Sequence, residues 1–149
     1  GRKIAFTLSD IFCVERWRDE FTQLLINHVD IVFANEGEIL SLFKTNDLNY
    51  ALSTIRNYCG ISVITRSEKG SLVITKTNTH EITAKSVDHV IDTTGAGDLY
   101  AAGFLYGLTN NYDLTICGTL GSICSAEIIT HLGARPETSL KELIKNKSY

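Results

Sequence analysis

The stretch Asp92-Thr93-Thr94-Gly95-Ala96-Gly97-Asp98 decides how the whole sequence is interpreted, because it joins an extended segment, residues 81–91, to a predicted helix, residues 96–108. Its small residues bring bare backbone N–H groups to the start of that helix, where anions bind. The Asp98 carboxylate would repel a phosphate there. Its presence makes chemical sense if Asp98 takes a proton from a substrate hydroxyl while the N–H groups hold a transferring phosphoryl group. The alternative is a glycine-rich turn in which Asp98 only supplies a favourable charge to the helix.

Segments of strand type and helix type alternate on both sides of this stretch. The alternation predicts an α/β fold, with a doubly wound, mostly parallel sheet flanked by helices and a local antiparallel piece near residues 71–84. Ligands of such sheets bind beyond the carboxyl ends of the strands, where Asn35, Thr65 and the Asp92–Asp98 stretch all lie. The predicted strands cover residues 3–8, 30–34, 61–65, 71–76 and 79–84. The predicted helices cover residues 15–29, 36–43, 47–58, 96–108, 114–131 and 139–145.

The composition excludes several classes of protein. The 149 residues carry 14 Lys and Arg against 17 Asp and Glu, a net charge of −3, so no basic surface for nucleic acid is expected. No apolar run reaches the length that spans a membrane. The four cysteines form no Cys-x-x-Cys pair, which favours free, mostly buried thiols in a cytoplasmic protein over disulfides or a zinc site.

The full string from Asp92 to Phe104 is more specific than its glycines alone. It resembles the C-terminal signature of the ribokinase-like (PfkB) carbohydrate kinases, and it is most similar to members labelled sugar kinase or adenosine kinase. The resemblance implies an ATP-dependent enzyme that phosphorylates a hydroxymethyl group of a sugar or nucleoside. It also implies that Asp98 is the catalytic base and that the backbone of Gly95, Ala96 and Gly97 forms the anion hole.

Two further motifs match the same family. Asn35-Glu36-Gly37-Glu38 has the spacing of an N-x-x-E element, which implies that Asn35 and Glu38 help to place Mg²⁺ and phosphate, largely through water. The other interpretation of this motif is an Asn helix cap followed by first-turn acids.

The segment from Thr65 to Gly70 resembles the nucleotide-binding element Thr-x-Gly-x-x-Gly, except that Ser67 replaces the first glycine. The resemblance implies that these three residues contact ATP. An ordinary strand-turn-strand is an equally good interpretation, and the departure at Ser67 raises the question of its backbone conformation.

The resemblance implies two more contacts. Ser122 occupies a position that lies near the adenine in the family, although a small residue there also suits close helix packing. Asp92 and Thr94, with the backbone around Ile128, His131 and Gly133, match a monovalent-cation site of some members, so K⁺ is included among the cofactors. On its own, His131 is typical of a helix C-terminus.

Members of this family are considerably longer than 149 residues, and the Gly-Gly signature and lid of their N-terminal half are not found here. We therefore interpret residues 1–149 as the C-terminal nucleotide-binding and catalytic part of such a kinase. A non-catalytic nucleotide-binding module or an inactive fragment is the alternative, and a homodimer is left open. A Rossmann-type dinucleotide enzyme is disfavoured, because Gly95-Ala96-Gly97 lies late in the chain and no following strand carries a ribose-binding acid.

Overall fold

A computed structural model describes residues 1–145 and contains a five-stranded sheet with the order β1-β2-β3-β4-β5. The pairs β1–β2 and β2–β3 are parallel. The connections from β3 to β4 and from β4 to β5 are too short for a parallel crossover, so these strands form antiparallel hairpins. The strands are β1 (Ala5–Thr7), β2 (Ile31–Asn35), β3 (Ile61–Thr65), β4 (Ser71–Thr75) and β5 (Thr79–Ile82). This mixed, mostly parallel sheet flanked by helices confirms the predicted α/β fold.

Helices fill the long connections of the sheet and most of the chain after β5. They are α1 (Ile11–Arg16), α2 (Arg18–Asn27), α3 (Glu36–Leu42), α4 (Leu48–Ile55), α5 (Ala96–Thr109), α6 (Leu114–Ile128) and α7 (Leu140–Lys145). A single 3₁₀ turn, Ser67–Lys69, follows β3.

The helix predicted over residues 15–29 is in fact two helices. The first begins earlier than predicted, because the Asp10 side chain accepts a hydrogen bond from the Cys13 N–H at 2.7 Å and caps α1. Trp17 then leaves the helical conformation, with φ −123° and ψ 33°, and separates α1 from α2. The spacing of the apolar residues continues across this break, so periodicity alone could not locate it.

The chain divides into two compact units. The first unit contains residues 1–66 and 72–80, and the second contains Ser67–Ser71 together with the chain from Glu81 onward. In the first unit, helices α1 to α4 pack against alternate residues of the strands. The opposite-facing residues Ile31, Phe33 and Val63 are also buried, as expected for parallel strands. The buried core on the helix side is formed by Leu8, Val14, Leu25, Val29, Val32, Ala34, Ile39, Leu42, Ala51, Ile55, Cys59, Ile64, Leu72 and Ile74.

The second unit is built on the close packing of α5 against α6. A Cβ atom added at Gly103 would lie 2.5 Å from the Leu120 carbonyl oxygen, and one added at Gly121 would lie 2.7 Å from the ring of Tyr100. Any side chain at these two positions would push the helices apart. The Tyr100 hydroxyl is hydrogen-bonded to Ser71 Oγ, and burial raises the pKa of Tyr100 to about 12.

All four cysteines are free, as the sequence predicts. Cys59, Cys117 and Cys124 are buried, and burial raises the pKa of each of these thiols to about 11. Cys13 is partly exposed. Within residues 1–145, no helix has the length and apolar character needed to cross a membrane.

Candidate functional site

The turn that precedes α5 leaves backbone donors exposed. Gly95 is the residue before the helix and has φ 81°, and its hypothetical Cβ would lie 3.1 Å from Ala134 Cβ. Both its left-handed conformation and this close contact favour glycine. Ala96 N–H donates to Thr93 O at 3.1 Å, and no side chain caps the helix. The N–H groups of Gly97 and Asp98 therefore lack an acceptor within their own helix and provide the positive end of its dipole.

Open space lies beside Gly97 in the first turn of α5. A Cβ atom added at Gly97 would meet no other atom within 4 Å. The neighbouring Asp98 is exposed, and its carboxylate makes no hydrogen bond or ion pair with any residue in the part of the chain that the structure describes. A free carboxylate beside free N–H donors can accept a proton from a group that approaches the same turn.

Asp92 links the turn by a hydrogen bond to Gly133, 41 residues later in the chain. Its Oδ1 accepts a hydrogen bond from Thr94 N–H and its Oδ2 accepts one from Gly133 N–H, each at 2.9 Å. A hydrogen bond from the Thr94 side chain, followed by those from the Gly133 and Thr94 N–H groups, lowers the pKa of Asp92 to about 2. The structure thus brings together Asp92, Thr94 and Gly133, for which the resemblance to the family implies a monovalent-cation site, and that site stays a prediction.

His131, from the same predicted cation site, has a different main neighbour. Its Nε2 lies 3.4 Å from Oε1 of Glu127, one helical turn earlier. Burial acts to lower the pKa of His131, but the neighbouring acceptors and carboxylates, Leu132 O and Glu127 first, outweigh burial and raise it. His131 thus lies beside the last turn of α6 but beyond its end at Ile128, so the helix predicted over residues 114–131 is shorter than expected.

Ser122 has hydrogen-bonding partners within the second unit. Its Oγ accepts a hydrogen bond from Lys85 N–H at 2.8 Å and donates to Thr83 O at 3.4 Å. The side chain is buried and joins α6 to the segment that follows β5. This arrangement gives Ser122 a structural role, and its contact with adenine stays a prediction.

The structure shows the backbone conformation of Ser67, which replaces the first glycine of the nucleotide-binding element. Ser67 adopts φ 53°, the left-handed conformation that a glycine at this position would take easily. Gly70 has φ 82° and donates its N–H to Ser67 O at 3.1 Å. A Cβ atom at Gly70 would overlap the carbonyl oxygen of Ile82. Ser67 therefore adopts a backbone conformation for which glycine is normally favoured.

In the first unit, Asn35 and Thr65 are partners in the β2–β3 register, at the carboxyl ends of the two strands. Asn35 caps α3 in a reciprocal box: its Oδ1 accepts from Glu38 N–H at 2.8 Å, and Glu38 Oε2 accepts from Asn35 N–H at 2.9 Å. Asn35 Nδ2 also donates to Glu38 Oε1 at 2.7 Å. Burial raises the pKa of Glu38.

Each polar atom of the Asn35 and Glu38 side chains thus already has a hydrogen-bonding partner. Such a pair fits a contact with Mg²⁺ through water better than direct coordination. Residues 1–145 contain no cluster of three or more His, Cys, Asp or Glu side chains able to hold a metal ion. The predicted site residues divide between the units, with Asn35, Glu38 and Thr65 in the first, and Ser67, Gly70, Asp92, Thr94, Gly95, Ala96, Gly97, Asp98 and Ser122 in the second.

One acidic residue of α6, Glu127, makes contacts that carried no signal in the sequence. Glu127 Oε1 accepts hydrogen bonds from the N–H groups of Glu137 and Thr138, at 2.8 and 3.0 Å, and from Thr138 Oγ1 at 3.1 Å. Two of these donors are backbone groups, which every residue except proline possesses. The sequence around Glu127 therefore gave no pattern by which the interaction could be found.

The chain is similar to known sugar and nucleoside kinases in both sequence and structure. Residues 5–141 match the pfkB family of carbohydrate kinases. The chain is 32% identical over 111 residues to the nucleoside kinase of Methanocaldococcus jannaschii, covering 74% of this chain and 36% of that kinase. A probable sugar kinase from Rhizobium etli CFN 42 superposes with a TM-score of 0.95 and 46% identity, over 97% of this chain and 44% of the other. The adenosine kinase from Sinorhizobium meliloti superposes with a TM-score of 0.95 and 44% identity, over 97% of this chain and 45% of the other.

This chain spans less than half the length of each of these three relatives. Within that part, the family match runs from residue 5 to residue 141 and includes the turn at Asp92–Asp98. The resemblance carried by Asp92–Phe104 is thereby confirmed over most of the chain. The chain belongs to the pfkB family of carbohydrate kinases.

Proposed function

We propose that this chain is the nucleotide-binding and catalytic part of an ATP-dependent kinase that phosphorylates a hydroxymethyl group of a sugar or nucleoside. The observation that carries the proposal is the exposed Asp98 carboxylate, which has no hydrogen bond or ion pair within residues 1–145 and lies in the first turn of a helix without a side-chain cap. Three relatives named as a nucleoside kinase, a probable sugar kinase and an adenosine kinase support the choice of acceptor class. Free thiols agree with a cytoplasmic location.

The turn before α5 has the chemistry that phosphoryl transfer needs. Bound ATP would supply the transferring group and the charge that the site has to stabilise. The N–H groups of Gly97 and Asp98 would donate hydrogen bonds to that anion, and the left-handed Gly95 would keep the turn open for its approach. Ala96 belongs to the same anion hole, although its own N–H donates to Thr93 O. The Asp98 carboxylate would accept the proton of the substrate hydroxyl as the hydroxyl oxygen attacks the γ-phosphorus of ATP, whose bond to the bridging oxygen breaks so that ADP leaves.

The remaining predicted residues would bind the nucleotide and its cations. Thr65, Ser67, Gly70 and Ser122 are proposed contacts of ATP. Asn35 and Glu38 would hold water molecules that surround Mg²⁺, since the capping box satisfies their own polar atoms. Asp92 and Thr94 are proposed for a monovalent cation such as K⁺, and the low pKa keeps the Asp92 carboxylate ionised at neutral pH.

The direct test measures ADP release by the complete protein with Mg-ATP and a panel of sugars and nucleosides. We expect release to depend on one class of acceptor and to stop when Mg²⁺ is chelated, because transfer requires an oriented hydroxyl and a neutralised phosphate. Each acceptor assay is paired with one that lacks the acceptor. Tight Mg-ATP binding without acceptor-dependent release of ADP would favour the non-catalytic alternative.

Gly97→Val should weaken the binding of Mg-ATP by roughly 10–100-fold, because a branched side chain would occupy the space through which a phosphate approaches the N–H groups. The dissociation constant is measured by isothermal titration calorimetry. Ala102→Val serves as the control, since it places the same side chain on an exposed position of α5 away from the turn. Unchanged affinity in the Gly97 variant would contradict the anion-hole assignment.

A further inference from the structure

The loop between α6 and α7, residues 129–139, makes several contacts with the rest of the second unit, including a hydrogen bond from Ile91 N–H to Ile129 O at 2.8 Å. Near its start, Gly133 N–H donates to Asp92 Oδ2 at 2.9 Å. In its middle, Ala134 packs closely on Gly95. A Cβ atom added at Gly95 would lie 3.2 Å from Ala134 Cα. Towards its end, the N–H groups of Glu137 and Thr138 donate to Glu127. The α6–α7 loop therefore packs against the turn that precedes α5, through Gly133 and Ala134.

Glu127 provides the acceptor for three of the hydrogen bonds that hold this loop. One of its carboxylate oxygens, Oε1, accepts all three hydrogen bonds from Glu137 and Thr138 and also lies 3.4 Å from His131 Nε2. Burial acts to raise the pKa of Glu127, but the hydrogen bonds from Thr138, Glu137 and His131 outweigh burial and lower it. Hydrogen bonds to an ionised carboxylate are stronger than neutral ones, so this contact holds the loop firmly.

We infer that Glu127 is a positioning residue for the anion site at the start of α5, acting through the α6–α7 loop. The inference rests on the proposed function, because it assigns Glu127 to the binding of the same phosphate. Glu127 itself does not belong to the turn. Its carboxylate fixes Glu137 and Thr138, the loop then presses Ala134 onto Gly95, and this contact supports the backbone from which the N–H groups of Gly97 and Asp98 project.

Removing the carboxylate should loosen the loop without unfolding the protein. Glu137 and Thr138 are exposed, so water can satisfy their N–H groups when Glu127 no longer does. Water cannot hold the loop in place, however, and a misplaced turn weakens the alignment of its donors with a phosphate. Displacements of about 1 Å are enough to cost an active site roughly 10²-fold in rate.

The test compares Glu127→Ala with Glu127→Gln, which keeps an acceptor oxygen at the position of Oε1. Mg-ATP is the probe, titrated by calorimetry into the complete protein, and KM for ATP and melting temperature are measured on the same samples. We expect Glu127→Ala to raise the dissociation constant and KM for ATP by roughly 10-fold, and Glu127→Gln to recover most of that loss. Glu142→Ala is the matched control, because Glu142 is an exposed acid on α7 whose carboxylate makes no hydrogen bond or ion pair with the described residues of the loop.

A Glu127→Ala variant with an Mg-ATP affinity within about twofold of the parent protein overturns the inference, even if its melting temperature falls. That result would mean that Glu127 only stabilises the fold. Glu127→Asp gives a second test with the charge kept and the reach shortened, and it should also bind Mg-ATP more weakly. If the parent protein does not bind Mg-ATP at all, the proposed function itself is wrong. If the parent protein binds Mg-ATP and Glu127→Ala binds it equally well, only the inference about Glu127 is wrong.

Discussion

Asp98→Asn in the complete protein is expected to lower kcat for phosphoryl transfer by roughly 10²–10⁴-fold, the usual cost of removing a positioned general base. The amide has nearly the same size and hydrogen-bonding reach as the carboxylate, but it cannot accept a proton. Affinity for Mg-ATP should stay the same or increase, since the substitution removes a negative charge from the first turn of α5, where the phosphate would bind. The measurement is steady-state ADP release together with calorimetric titration of Mg-ATP.

Asp113→Asn provides the matched control for this experiment. Asp113 also lies at a helix start, where it caps α6 by accepting the Ile116 N–H at 2.8 Å, and asparagine caps helices about as well as aspartate. The control should therefore keep the kcat of the parent protein. A kcat for Asp98→Asn within about threefold of the parent value would remove Asp98 from the role of base.

Gly70→Ala is expected to lower the free energy of unfolding by about 2–5 kcal/mol, a large fraction of the total stability of a small protein. Two causes add. The residue has φ 82°, a conformation that is strained for any L side chain, and its new Cβ would overlap the Ile82 carbonyl oxygen in β5. Because that oxygen belongs to the backbone of a strand, it cannot rotate away as a side chain would. Urea denaturation followed by circular dichroism measures the change.

Gly97→Ala controls for the general effect of adding a methyl group. Its Cβ would meet no atom within 4 Å and its φ is not positive, so this variant should be unchanged or slightly stabilised by the better helix propensity of alanine. Equal stability of the Gly70→Ala and Gly97→Ala variants would show that the contact with Ile82 O yields easily, against the close packing described here.

Sequence reasoning succeeded where the stabilising signal lies within one element. The strand predicted over residues 61–65 is observed as Ile61–Thr65, because a β-branched run followed by a turn leaves few other structures. The cap at Asn35 was likewise predicted, since asparagine is a preferred helix cap and Glu36 and Glu38 suit the first turn, and the structure adds that Glu38 completes a capping box. Both signals depend only on residues a few positions apart.

Sequence reasoning failed where the structure depends on contacts between distant residues. The bond from Gly133 N–H to Asp92 joins positions 41 residues apart, and its donor is a backbone group, so only the resemblance to the family placed these two residues together and no local pattern did. Nor could the contacts of Glu127 be predicted, since they reach residues ten and eleven positions away and two of their donors are backbone N–H groups. The left-handed Ser67 could not be predicted either, because serine shows no local preference for positive φ and the surrounding turn imposes it.

The burial of three cysteines has a consequence for the chemistry of the protein towards oxidants and alkylating reagents. The thiolate is the reactive form, and a pKa of about 11 for Cys59, Cys117 and Cys124 leaves roughly one thiol in 10⁴ ionised at pH 7. Iodoacetamide or peroxide should therefore leave these residues unmodified while the fold persists. The rate of their alkylation would therefore measure how often the core around each cysteine opens by local unfolding.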